Sequence, residues 1–590
     1  MHAALLALAL LAAADAAGAG SPPRHYSVAE LRAGRFTPGV VDNAAFAPPP
    51  GAARAREGFE GTIMLREAPM ATTPAPLEPA RVLGRDPALF PAVELAFFTV
   101  DGDLVPVTQE VIRAGTSGAG RSFWDVIIQP GRVWSEPGDG GWSRAGFPFA
   151  LVNSLEGETH NGLATFLYRG REVTQLRFQV VQQTAPFLVP QRFTASGVVP
   201  ARYRAEGVAE RAALERRYRA SLADAVRILP WSALESRVGA DRLAGFDSPL
   251  AADDLVASGL DVEGTLYLRD CPSAGGPLTW CERARFGVWS ATKALANAVA
   301  LLHLAQKYGP GVLELRIRDY VTEAAARPGW ESVRFVDAIN MATGIGNGST
   351  RTTPNHSGDG YLEGSYGTWY EARSRADKVA KLLATGGVYP WGPGRITRYR
   401  DQDMFILGVA MDSFVKSREG AAGSLWSMLE REVFEPIGIH YAPINRTIEP
   451  DASTGQPLMA YGYYPTLGDL VKIARLFQAD GRAGGEQILF PPLVRALSAG
   501  ADSRGLPTGQ TSRFGETHYF FAFWETRYDA TQGCRLYLPV MEGWGGNLVA
   551  LLPGRLTALQ LAKAAEDESG SGERVVALAT VGNRLVDFCR

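Results

Sequence analysis

Phe286-Gly-Val-Trp-Ser-Ala-Thr-Lys-Ala-Leu-Ala-Asn-Ala-Val-Ala-Leu-Leu-His-Leu304 is the stretch on which the fold of this 590-residue chain turns. Leu295, Val299 and Leu302 recur at helical spacing, and Gly309-Pro310-Gly311 follows as a stop, so an Ala-rich buried helix is expected with Ser290 near its start. Ser290-Ala-Thr-Lys293 is an S-x-x-K motif. Residues i and i+3 share a helix face, about 5–6 Å apart at Cβ, so the lysine amine can approach the serine oxygen. At a helix start, unpaired N–H groups and the dipole favour developing negative charge. A lysine stripped of water in an apolar setting can become a base. One short motif thus supplies a nucleophile, a base and part of an anion site.

The chain carries its own control. Ser413-Phe-Val-Lys416 also fits S-x-x-K, but it sits at the far end of an expected helix beside Arg418 and Glu419, where solvation explains it. Lysine is also scarce: of 59 basic residues only seven are Lys, at 293, 307, 378, 381, 416, 472 and 563. Where arginine fills nearly every cationic role, a lysine in a buried segment suggests a need for an amine that can deprotonate.

Outward from this stretch, composition sets limits. At 46% hydrophobic and 21% charged the chain is globular. A net charge of −3 with no long run of either sign offers no general attraction for nucleic acid or anionic membrane. The length argues for two domains. Ala3 to Ala14 form a 12-residue Ala/Leu run followed by Ala14-Asp15-Ala16 and Ala17-Gly18-Ala19, which reads as a signal peptide over 1–19, although its only early polar residue is His2. No apolar stretch reaches the ~18–20 residues of a transmembrane helix. Export permits disulfides. Cys271 and Cys281 bracket a Pro-Ser-Ala-Gly-Gly-Pro turn and are the natural pair, leaving Cys534 for Cys589, but four cysteines allow three connectivities and sequence does not select one.

From Glu94 to Gln183 the pattern is β. Glu94–Val100 runs into Asp101-Gly102, a hairpin signal, and further runs follow at Phe123–Ile128, Phe147–Val152, Leu163–Tyr168 and Leu176–Val181. An all-β, sandwich-like N-terminal domain over 20–205 is expected. Beyond it, 206–590 alternates strands with long helices: a helix over Val208 to Leu229, then Gly264–Leu268 and Leu278–Trp280 as strands paired across the cysteine-bracketed turn.

Three further segments carry a resemblance. Trp289-Ser-Ala-Thr-Lys293 resembles the first motif of the serine β-lactamase and penicillin-recognising superfamily, in the style of class C β-lactamases, family VIII carboxylesterases and nylon-oligomer hydrolases. Phe335-Val-Asp-Ala-Ile-Asn-Met-Ala-Thr-Gly-Ile345 resembles its helix ending in a Thr-Ser-Gly-Leu type sequence. Tyr399-Arg-Asp-Gln-Asp-Met-Phe-Ile-Leu-Gly408 resembles its Tyr-x-Asn segment, and Met541-Glu-Gly-Trp-Gly-Gly-Asn-Leu-Val-Ala-Leu-Leu-Pro553 its third motif and following strand. Order and spacing agree over about 210–590. The resemblance implies an α/β (α+β) β-lactamase-like domain whose antiparallel sheet is flanked by helices. It implies Ser290 as acyl-forming nucleophile, Lys293 as base, Tyr399 as second base passing the proton to the leaving group, and the N–H groups of Ser290 and Trp544 as oxyanion hole. Asp401, Glu542 and Gly543 fall at positions that would face substrate.

Two departures matter. Asp401 stands where the family usually has Asn, and a carboxylate near Lys293 favours the ammonium; either it points elsewhere or proton transfer leans on Tyr399. Met541-Glu542-Gly543 replaces Lys-Thr-Gly or His-x-Gly, so the cation that holds a β-lactam carboxylate is missing and Glu542 would repel it. Trp-Gly-Gly at 544–546 looks like the family VIII esterase version. Aromatics in Tyr361–Tyr370 and Tyr519–Trp524 lie where the family builds pocket walls, with core packing expected for Phe521 and Phe523. Seven scattered histidines show no H-E-x-x-H, and no G-x-S-x-G elbow, P-loop or complete dinucleotide fingerprint appears.

The expectation is a secreted or periplasmic serine hydrolase acting on a small-molecule or peptide ester or amide, without metal or cofactor, and with no partner identified for the β-rich domain. A D,D-peptidase or β-lactamase-like peptidoglycan enzyme and an inactive binding protein of the same fold are the alternatives.

Overall fold

The computed structural model describes residues 26–34, 36–78, 84–114, 120–346, 348, 350, 366–384, 387–564 and 571–590. The expected signal peptide over 1–19 lies outside the described residues.

Each strand expected between Glu94 and Gln183 is present. Val93–Val100 turns at Asp101 and Gly102 into Asp103–Pro106, with both turn residues at positive φ, as a two-residue hairpin requires. Asp125–Ile128, Ser143–Val152, His160–Arg169 and Leu176–Gln183 follow. They do not divide into the two sheets of a sandwich. Antiparallel pairing runs from Glu60–Leu65 through Val93–Val100, Asp103–Pro106, Gly131–Ser135, Ser143–Val152, His160–Arg169 and Leu176–Gln183 to Thr194–Val199. Pro200 then joins Thr194–Val199 to Ala201–Arg204, which pairs back onto Glu60–Leu65, while Ala71–Thr73 pairs with Thr194–Val199. The circuit returns to its start, so the sheet is a closed barrel, which leaves no long strand edge unpaired.

Alternation fills the barrel. Ala145, Phe147, Phe149 and Leu151 point into the main hydrophobic core with Ala164, Phe166 and Tyr168 from the next strand. On the outer face Leu163 and Leu167 are covered by Tyr26, Leu31 and Phe46 of the N-terminal segment, and Ala150 and Val152 by Tyr464 from far along the chain. Both faces of the middle strands are therefore buried, which explains why they read as continuous apolar runs.

The second sheet has nine strands in the order Arg227–Pro230, Thr265–Leu268, Leu255–Val262, Leu556–Ala562, Asn547–Leu552, Arg535–Gly543, Phe523–Asp529, Gly515–Phe520 and Leu506–Ser512. Every pairing is antiparallel except Arg227–Pro230 with Thr265–Leu268. Helices flank it. Leu548, Ala550 and Leu552 face Val575, Leu578 and Trp231, whereas Val549 and Leu551 face the main core. That core includes the helices Val299–Tyr308, Asp401–Glu419 and Leu467–Gln478.

Two local expectations are corrected. The helix over Val208 to Leu229 is confined to Arg211–Ala223, and the β-branched end becomes the strand Arg227–Pro230. Leu278–Trp280 is no strand: Thr265–Leu268 pairs with Leu255–Val262 instead, because the Pro/Gly-rich turn bends the chain away after Leu278 N–H bonds Cys271 O at 2.8 Å. Cys271 is bonded to Cys281 and Cys534 to Cys589.

The barrel and the second sheet share one core, which runs from Phe59 to Leu561. Asn445 donates to the carbonyls of Asn153 (2.6 Å) and Glu156 (3.1 Å), and Arg113 bonds Asn445 Oδ1 and Arg446 O, both at 2.8 Å. Glycine permits the closest approach: a Cβ at Gly157 would strike Tyr461 O, and one at Gly287 would strike Gly157 O.

Candidate active site

The quoted stretch is helical but not uniformly so. Trp289–Ala291 is a 3₁₀ turn, Lys293–Ala298 a π turn, and Val299–Tyr308 a regular α-helix. Trp289 has φ 49°, a left-handed conformation that costs a large side chain energy and is held by its surroundings. Strain and a π turn beside a candidate nucleophile belong to the pattern of functional sites.

Lys293 Nζ donates to Ser290 Oγ at 2.6 Å and to Ala460 O at 3.0 Å. The lysine is 1% exposed, so its amine is out of water. Asp401, at the head of the helix Asp401–Glu419, places Oδ1 2.5 Å from Nζ, which closes the question of where it points. Its Oδ2 accepts from the Tyr366 hydroxyl at 2.8 Å. With both oxygens engaged by the protein, Asp401 holds the amine. Tyr399 lies two residues earlier, its ring stacked on Trp524 (5.6 Å between centroids, 12°), with Lys293 Nζ 4.7 Å from the ring centre. Three segments more than 100 residues apart in part thus meet around one amine.

The second segment is fixed from below. Asp403 accepts from Thr343 Oγ1 at 2.8 Å, and the fully buried Arg400 donates to Ile345 O at 2.7 Å. The Met341–Ile345 segment that follows the short helix Phe335–Ile339 is thereby tied to the segment carrying Tyr399 and Asp401. Gly543 ends the strand Arg535–Gly543 against the serine turn: a Cβ there would collide with Val288 O. Trp544 therefore follows directly on a backbone contact with the segment that carries Ser290. Glu542 is half-buried and interacts electrostatically with Arg574, whose guanidinium burial pulls down to about 10. Arg574 bonds Gly546 O and Gln560.

Several site residues escaped sequence reasoning. Lys378 is buried against the carbonyls of Trp369 (3.2 Å) and Tyr370 (3.0 Å), and burial pulls its amine down to about 7 against the opposing pull of Asp401. Lysine scarcity was the available signal. Tyr461 packs on Tyr370 and Trp289, and nothing but the aromatic run Tyr461-Gly-Tyr-Tyr464 marked it. From the barrel, Phe187 reaches Trp289 (5.6 Å), Tyr370 (5.1 Å) and Trp544 (6.5 Å). Of the expected pocket walls, Phe521 and Phe523 are core, Trp369 and Tyr370 are buried, and 361–365 lie outside the described residues. The control motif behaves as expected: Lys416 is half exposed and pairs with Asp412.

Among the described residues no group of three or more His, Cys, Asp or Glu is placed to hold a metal ion, and no helix is long and apolar enough to cross a membrane.

No family model matches the chain, and no curated protein does. Solved structures do. One is a class C β-lactamase in complex with cefoxitin, at 15% identity and TM-score 0.39 over 59% of this chain and 99% of that one. Another is a penicillin-binding protein homolog from Caulobacter crescentus, at 16% and 0.39 over 58% and 98%. A third is a family VIII carboxylesterase, at 17% and 0.37 over 57% and 96%. The sequence motifs resemble the same group of proteins.

Proposed function

We propose that the protein is a serine hydrolase that cleaves an ester or amide through an acyl-enzyme on Ser290. The observation that carries this reading is the buried Lys293 amine, 2.6 Å from Ser290 Oγ. The Ser290 oxygen attacks the substrate carbonyl as its proton passes to the amine, and the backbone N–H groups of Ser290 and Trp544 receive the negative charge that forms on the carbonyl oxygen. Tyr399 hands a proton to the leaving group as the tetrahedral intermediate collapses. Water then enters, gives up a proton to the same groups and releases the acid, restoring the Ser290 hydroxyl. Asp401 opposes the first step, since its charge favours the ammonium, so turnover should require a pH at which Lys293 sheds a proton. Glu542 disfavours an anionic group beside the third motif, which argues for esters or amides without a carboxylate there and against β-lactams.

The Lys293–Asp401 contact also favours a second reading, a scaffold that binds without reacting. A fluorophosphonate probe separates the two: a covalent adduct mapped to Ser290, absent from Ser290→Ala, is expected, and no adduct or one elsewhere sinks the hydrolase. The two disulfides suit an oxidising compartment, in keeping with export.

A further inference from the structure

We infer that the barrel supplies part of the substrate pocket, through Phe187, and that this gives the enzyme a preference for substrates carrying an aryl group. The inference rests on the hydrolase reading and adds to it the class of substrate.

Phe187 is one of three large hydrophobic side chains left exposed among the described residues, at 37%. The other two, Leu222 and Val388, are aliphatic, and Leu222 lies near the end of a surface helix. Phe187 instead sits in a cluster of aromatic rings: Trp289, Tyr370 and Trp544 all approach it edge-on, at 64°, 62° and 84°. Trp289 immediately precedes Ser290, and Trp544 carries the proposed oxyanion N–H. Trp289 is 5% and Tyr370 2% exposed, so the open face of the cluster belongs to Phe187 and the half-buried Trp544. An apolar ring left uncovered next to a reacting serine gains by covering, and a further aromatic ring can extend the edge-to-face contacts already present in the cluster.

The position of Phe187 is built, not incidental. Leu188 N–H donates to Glu156 Oε2 at 3.0 Å, and the Phe187 N–H bonds Glu158. Both carboxyls are fully buried. A Cβ at Gly545 would press on Ala185 Cβ, so the 185–188 loop lies directly against the third motif. Trp544 Nε1 reaches Pro186 O at 3.5 Å. A loop that served only to cap the barrel would not need two buried carboxyls to hold an exposed phenyl ring against Trp289, the residue before Ser290.

The test compares ethyl acetate, ethyl phenylacetate and benzyl acetate by pH-stat, with wild-type protein, Phe187→Ala and Phe187→Leu. The two aryl esters distinguish a ring on the acyl side from one on the alcohol side. Wild type is expected to favour at least one aryl ester over ethyl acetate in kcat/KM, and Phe187→Ala to cut that ratio roughly tenfold or more, within the range set by apolar pocket contacts. Phe187→Leu should recover part of it. A ratio unchanged in Phe187→Ala, with Ser290 still turning over ester, overturns the inference and leaves the hydrolase standing. Turnover by wild type that is equal in Ser290→Ala overturns the hydrolase, and the inference with it.

Discussion

Replacing Asp401 by asparagine removes one charge from the centre of the site while keeping its shape. In the native protein the carboxylate lies 2.5 Å from Lys293 Nζ, with side-chain exposures of 4% and 1%. Between full charges at that separation, an effective dielectric of ~20 gives about 6–7 kcal/mol. That is a ceiling, because the amide oxygen still accepts from the amine and because burial opposes both charges in the native pair. Carboxylates beside cations move titrations by about 1–3 units, which corresponds to about 1.4–4 kcal/mol. The asparagine amide can turn its oxygen to Lys293 and its nitrogen to Tyr366, so the packing survives. An ammonium left buried without its counter-charge is costly, and the amine relieves that cost by giving up its proton. Asp401→Asn is therefore expected to move the acid limb of the kcat/KM profile to lower pH by about 1–3 units, measured with a neutral ester from pH 5 to 10. This profile reports groups of the free enzyme. A limb that stays in place or moves up, in a variant whose melting curve matches wild type, refutes the view that Asp401 restrains Lys293.

Other outcomes follow from the same geometry. Gly543→Ala forces its methyl onto Val288 O, so it should push the serine turn from Trp544 and lower kcat by on the order of a hundredfold, with a loss of about 1–3 kcal/mol in stability; a variant that labels with fluorophosphonate at the wild-type rate removes Gly543 from the site. The buried carboxyls under Phe187 set a pH dependence of stability. Burial raises Glu156 to about 8 and Glu158 well above the usual range, and lowers His160 to about 3. Between pH 6.5 and 8 the native state keeps carboxyl protons that the unfolded chain has lost, so the contribution of these carboxyls to stability should fall as pH rises, by about 2 kcal/mol for Glu156 and in the same direction for Glu158. Below pH 6.5 the unfolded chain also takes up a proton on His160, which works the other way. Urea midpoints of wild type and a Glu156→Gln, Glu158→Gln double variant should diverge as pH increases; parallel curves would show that these acids ionise freely.

The parts of the site that lie within one helical turn were legible. Ser290 and Lys293 meet because a spacing of three fixes their meeting, and the spacing is visible in any sequence. The direction of Asp401 was not, since whether it faces Lys293 depends on the Thr343–Asp403 and Arg400–Ile345 ties that clamp the head of its helix. Tyr366 lay within the expected aromatic wall, and its bond to Asp401 follows only from the fold; Lys378, marked by lysine scarcity alone, and Phe187, marked by nothing local, reach the site only through tertiary contacts. The strands of the barrel were legible by alternation, but its closure was not. It depends on Thr194–Val199 and Ala201–Arg204 serving two neighbours on either side of Pro200, and a proline in a short run reads as an interruption.

The glycine-to-backbone contacts at 157 and 287 bind the barrel to the serine turn with no side chains between them. A protein joined in this way has no hinge at its midpoint. Trimming it at residue 205 to isolate a minimal hydrolase would strip the cover from the inner wall that supports Trp289 and take away Phe187 at the same cut. For expression, engineering or inhibitor design, the working unit is the pair of halves together.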